Sequence, residues 1–230
     1  HSEGENNTAN GNATHAEGKD NSENYGDCNH IEGYNNVVYA KYTHVGGTEN
    51  VVSTFDDNTF SIVEGTEIPT EKSYIIGSTN KVGKLIGSSS SNSISVLVGG
   101  TGNTVLSSTN SLVIGASNVN KNILNSTLSG SGNKNENTDN SVVSGHGNIC
   151  DGVNHGAVFG SNNDVHGSYV FSSGFKNTVA NEAESAFGKY NKHKDDTIFS
   201  IGIGSLDAIC SFNSNACHCS DSCHGSLQHE

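Results

Sequence analysis

Apolar residues along this chain come in short runs, each closed shortly afterwards by a glycine. Ser111-Leu-Val-Ile114 precedes Gly115, Ser141-Val-Val-Ser144 precedes Gly145, Ala157-Val-Phe159 precedes Gly160, and Tyr169-Val-Phe171 stands ahead of Gly174. Runs of this length, rich in β-branched and aromatic residues, predict strands and are too short for helices. Between them lie Asn, Ser, Gly and Thr, the residues of turns.

The pattern has a fixed period. His-x-Glu-Gly begins at His1, His15 and His30, and His44-Val45-Gly46-Gly47 is a degenerate fourth copy. A second register starts near Tyr74, with marker glycines at Gly100, Gly115, Gly130, Gly145, Gly160, Gly174, Gly188 and Gly202, 14 or 15 residues apart. An asparagine follows three residues after the glycine at Asn7, Asn21, Asn36, Asn50, Asn80, Asn103, Asn118, Asn133, Asn148, Asn163, Asn177 and Asn191. Twelve such pairs at one spacing mark a repeat architecture.

The physical reading is an all-β parallel solenoid, one coil per 14–15 residues. A strand of about four residues and a turn of about three fill each half-coil. The glycines supply positive φ or close backbone approach, and each asparagine tolerates the left-handed region while its amide bonds to the asparagine one coil away. About fourteen coils at strand spacing predict a rod of roughly 65 Å. Only three or four side chains point inward per coil. So thin a core predicts burial of a further face against copies of the same chain.

Composition agrees. Of 230 residues, 28 are Gly, 32 Asn and 33 Ser, and the hydrophobic fraction of 32% is too low for a thick globular core. The net charge is −13, and all 11 basic residues are Lys, which argues against a nucleic-acid partner. No apolar run approaches the ~20 residues of a membrane helix. The sequence starts inside a repeat with His1, so it is expected to be an excerpt of a longer chain.

His15-Ala-Glu-Gly18, Asn140-Ser-Val-Val-Ser-Gly145 and Ser185-Ala-Phe-Gly188 resemble the head repeats of trimeric autotransporter adhesins, a β-roll also found in phage tail fibres. Ala186-Phe-Gly-Lys-Tyr-Asn191 followed by Asp196-Thr-Ile-Phe-Ser-Ile-Gly202 is similar to phage-type and gut-bacterial versions. The resemblance covers residues 1–50 and 74–204. It implies a homotrimer of left-handed β-rolls in an extracellular, cell-surface or virion fibre. Such a fibre attaches to a host receptor, glycan or matrix protein, without catalysis or membrane insertion. Two segments depart from it: 51–73, read as a loop, a wider coil or a joint, and a Cys/His-rich tail, 205–230.

Three groups are candidates for chemistry. In the tail, Cys210, Cys217, Cys219 and Cys223 lie beside His218 and His224, a set that fits inter-chain disulfides, a tetrahedral metal site, or neither. No other cofactor is expected. Cys28 and Cys150 are isolated and too far apart in the coil count to pair within one chain. The second group is the column of His1, His15, His30 and His44, with Glu3, Glu17 and Glu32 two residues on and therefore on the same strand face. It reads first as His–Glu hydrogen bonding that fixes a turn or a trimer contact, and second as a metal or pH-sensitive stripe. The third group, Asp56, Asp57, Glu64, Glu67, Asp195 and Asp196, contains the carboxylates available to a polysaccharide-degrading spike, which needs two acids about 5–10 Å apart in a cleft. Calcium-roll nonapeptides and the 18-residue coil of hexapeptide acyltransferases are both missing from the sequence.

Overall fold

The computed structural model describes residues 1–56, 62, 70–86, 93–195, 197–203, 209–213 and 217–219. Side chains at 24, 25, 56, 203 and beyond fall outside that description, as do Asp57, Glu64, Glu67, Asp196, Cys223 and His224. Every described regular element is a strand.

The chain is a parallel β-solenoid, as the period predicts. A long sheet collects one strand per coil, from Ser2–Glu5 through His15–Lys19, Leu112–Ala116 and Thr127–Ser131 to Thr197–Ile203. Its first thirteen strands are parallel, giving about twelve turns in place of the fourteen expected. A short sheet of eleven strands, from Thr8–Ala9 to Thr178–Val179, stacks on the opposite side. The coil also has a narrow third contact that sequence reading missed, with single-residue bridges joining Ile94, Thr109, Leu124, Asp139 and Asn154. The long sheet ends in two antiparallel strands, Ile209–Asn213 and Cys217–Cys219, in a register that sets Cys210 opposite Cys219.

Two coils are wider than the rest. His44 pairs directly with Tyr74, thirty positions on, so a single turn joins them. Residues 57–61 and 63–69 of the 51–73 segment lie outside the described residues. Val51–Asp56 is an ordinary strand of the short sheet, paired with Lys81–Ile86, and Thr70–Glu71 rejoins the narrow third ladder. Tyr74 likewise pairs with Leu97, with the surplus falling between Gly83, the last residue paired to the next coil, and Ser93.

The core is a set of vertical columns. Inward residues of the long sheet include Ile31, Val45, Ile75, Val98, Val113, Leu128, Val143 and Val158, all buried. Val38, Val52, Val82, Val105, Cys150, Val165 and Val179 face them from the short sheet. Asn120 and Asn135 interrupt that second column, bonded to each other at 2.7 Å.

The marker asparagines form a third column that is also buried. Asn118 shows the bonding pattern: its backbone N–H and its Nδ2 both donate to Asn103 Oδ1, at 3.1 and 3.0 Å, and Nδ2 also donates to the Gly130 carbonyl at 3.0 Å. The pattern recurs from Asn21 to Asn163, so each amide satisfies backbone groups on both neighbouring coils. One expectation needs correction. The ladder asparagines are not left-handed; the residue before each one is, as at Asn6, Asp20, Asn35, Ser117 and Asn162, with φ between 54 and 58°. A hydroxyl ladder parallels the amide one. Ser111, Ser126 and Ser141 each accept a backbone N–H from the next coil and donate to a carbonyl two residues back.

The marker glycines are required by sterics. Gly130 has φ +107°, and a Cβ there would overlap the carbonyl oxygen of Gly145 directly above. Replacing Gly130 by Ala is therefore expected to cost more than about 3 kcal/mol, from backbone strain and coil separation together. Asn133→Ala should cost about 2–4 kcal/mol, because it strands buried partners on both sides. Exposed Lys134→Ala should stay within about 0.5 kcal/mol. Thermal unfolding of the three variants side by side checks the ranking.

Candidate functional site

The outer face of the long sheet is the surface with the most distinctive chemistry. Alternation along each five-residue strand sends its first and third residues outward. Because the strands are parallel and in register, each outward position becomes a column. The first runs His15, His30, His44, Tyr74, Leu97, Leu112, Thr127, Val142, Ala157, Phe171, Ser185, Phe199. The third-position column runs Glu3, Glu17, Glu32, Gly46, Ile76, Gly99, Ile114, Ser129, Ser144, Phe159, Ser173, Phe187, Ile201. The face thus changes character along the rod, from imidazole and carboxylate over the first coils to an apolar stripe over the remainder.

The apolar stripe is open to solvent in the single chain. Ile76, Leu97, Ile114, Val142, Phe159, Phe187 and Ile201 are all exposed, Ile114 at 47%. Phe159, Phe171, Phe187 and Phe199 follow one another at centroid separations of 5.0–6.0 Å, with Phe171 stacked on Phe187 and the other pairs tilted. The outward side of the short sheet is more polar, carrying Lys81, Thr104, Lys121, Lys134, Glu136 and Asp164, with Val51, Val119 and Ile149 in the same column as Lys81 and Thr104.

In the histidine column the rings follow one another coil by coil, edge-on for His1 and His15 at 4.9 Å and for His30 and His44 at 4.8 Å, and face to face for His15 and His30 at 5.1 Å and for His44 and Tyr74 at 4.6 Å. The expected His–Glu hydrogen bond forms at His1, whose Nε2 lies 2.6 Å from Glu3 Oε1. It does not form farther along. His15 Nε2 is 3.7 Å from Glu17, His30 Nε2 is 3.8 Å from Glu17, and His44 Nε2 is 3.3 Å from Glu32. All three Nε2 atoms are shielded from solvent and have no hydrogen-bond partner.

The remaining candidates separate. Cys210, Cys217, His218 and Cys219 sit in the two antiparallel end strands, with side chains beyond the described set. Asp195 is fully exposed, 3.7 Å from His193 Nε2. His193 in turn lies 3.2 Å from Glu184, a buried carboxylate that accepts the backbone N–H groups of Ala180 and Asn181. Glu23 plays the same part near the other end, accepting from Asn10 and Gly11. Sequence reading missed both buried glutamates. Each holds a tight turn, and the nearby Asn-Gly and Asn-Glu turn residues were the signal.

Compared with known families and curated proteins, the chain matches no family model and no curated relative.

Cys28 and Cys150 are both free, and they differ in reactivity. Burial, with the Asp164 charge adding to it, pushes the Cys150 thiol up to about 12, whereas Cys28 is exposed. The folded state therefore favours the Cys150 thiol. Its contribution is intact below pH 9 and lost as pH rises from 9 toward 12. Iodoacetamide at pH 8 should label Cys28 and leave Cys150 unmodified until the chain is unfolded, as read by peptide mass mapping.

Proposed function

We propose that this chain is the β-roll part of a homotrimeric extracellular or virion fibre, a non-enzymatic attachment protein for a host surface receptor, glycan or matrix protein. The observation that carries the reading is the apolar outer face of the long sheet. Parallel sheets are normally covered on both faces, and exposed apolar patches of this extent mark interaction sites. The inner face packs on the solenoid core, and nothing within the chain covers the outer one from Tyr74 to Ile201 among the described residues. Three copies around an axis would cover it and supply the core volume that one coil lacks.

On this reading the more polar short sheet and the turns face outward, and binding is spread over repeated columns. Exposed left-handed asparagines already form such ladders: Asn110, Asn125 and Asn140 bond in series at 3.2 and 3.3 Å. Of the carboxylates considered for a polysaccharide-degrading spike, Asp195 alone has a described side chain, and it is fully exposed beside His193.

The solution mass should be about three times the 23.9 kDa chain mass, with and without reductant. Replacing Ile76 and Ile114 together by Lys should weaken association by well over about tenfold, since charges would enter a dry contact. A stable wild-type monomer overturns the trimer. Assemblies larger than a trimer that collapse only with reductant favour instead a filament crosslinked through the tail cysteines. Reducing ends released from a polysaccharide would favour the degrading spike.

A further inference from the structure

We propose that the first coils hold divalent transition-metal ions at two sites per chain, one formed by His1, Glu3 and His15 and the other by Glu17, His30 and Glu32. In each group the three ligand atoms lie within 4.8 Å of one another. Tetrahedral coordination at bond lengths near 2.1 Å sets ligand atoms about 3.4 Å apart. Small rotations about side-chain torsions bring His30 and Glu17, now 3.8 Å apart, to that spacing.

A second observation points the same way. The Nε2 atoms of His15, His30 and His44 are buried and make no hydrogen bond, although carboxylates stand 3.3–3.8 Å away. A hydrogen-bonded packing column would close those distances, as His1 and Glu3 do at 2.6 Å. A buried polar atom left unpaired is unfavourable, and a cation between imidazole and carboxylate satisfies both at once. The donors are also confined to one stretch. From Tyr74 onward the same two outward columns carry Tyr74 with Ile76, Leu97 with Gly99 and Leu112 with Ile114, and no pair there can ligate.

The donor set selects the ion. Imidazole with carboxylate suits zinc, nickel, cobalt or copper, whereas calcium and magnesium require more oxygen ligands than either group offers. Gly4, Gly18, Gly33 and Gly47 border an open groove beside the glutamate column, which leaves space for water at a remaining coordination position. Each group supplies its three ligands from a single chain, so the sites do not depend on the trimer.

The test is a cobalt(II) titration of the full chain after chelator treatment, with all accessible thiols alkylated so that the tail cysteines cannot contribute. Two equivalents should bind with the visible absorption of low-symmetry cobalt, and zinc should displace them. Glu17→Gln, nearly isosteric and on the exposed rim, should remove one equivalent while leaving the circular dichroism unchanged. His30→Gln should remove the same one, and Glu3→Gln the other. Absence of cobalt absorption in the parent chain overturns the proposal, and so does an unchanged stoichiometry in the three variants. Solution mass in chelator reports on the trimer separately, so either idea can fail alone.

Discussion

Everything in this molecule depends on vertical coincidence: each residue has its counterpart one coil above, at strand spacing. A parallel solenoid satisfies its strand backbone through the sheets, and its turns carry only part of that ladder, as where the Ser117 N–H donates to the Thr101 carbonyl. The asparagine column supplies the rest. Each buried amide accepts the next coil's N–H and donates to carbonyls of its own coil and the next. Without it, a buried turn in every coil would hold unpaired polar groups, at about 1–3 kcal/mol each. The glycine column is the steric half of the same constraint, since side chains at those positions would hold the coils apart.

This constraint explains why a chain with so little apolar content can fold. The inward residues of the coil from Leu112 to Ser126 are Val113, Asn118, Asn120, Ile123 and Ser126. Two of the five are hydrocarbon, and the others are polar groups paired along the rod. Hydrogen bonds in such columns add one unit per coil, so stability accumulates with length in the nearest-neighbour manner of repeat proteins. It also limits what one chain can do alone. Thin columns of valine leave the outer apolar stripe exposed, and the self-association proposed above would cover it.

The sequence made the period, the glycine and asparagine columns and the histidine stack legible, because each recurs in many coils and one residue type dominates each. Other features were hidden for physical reasons. From His44 to Tyr74 the thirty residues equal two periods, so spacing cannot distinguish two coils from one coil with an excursion; only the direct pairing of those residues decides. The third ladder was invisible because Thr109, Leu124, Asp139 and Asn154 share no residue type and meet through single bridges. Asn120 and Asn135 read as turn residues yet lie in the core, since one polar residue is tolerated there when its neighbour in the column is polar too.

The outer face shows how a periodic scaffold divides labour along its length. The backbone is nearly the same at His30 and at Leu112, and both present an outward first residue on a five-residue strand. What differs is the side chain that the column repeats. Repetition converts a modest residue into a surface: one exposed isoleucine is unremarkable, but a dozen stacked outward positions form a contact stripe. It does the same for chemistry, since one histidine beside one glutamate is a surface pair and four in register bring each imidazole within 5.1 Å of the next. A substitution in a column therefore acts on the coils above and below as well as its own. The boundary between the polar and apolar segments, at Gly46 and Tyr74, falls at the widest coil, yet the strands on its two sides pair in register and the Tyr74 ring lies 4.6 Å from His44, so the column continues while its chemistry changes.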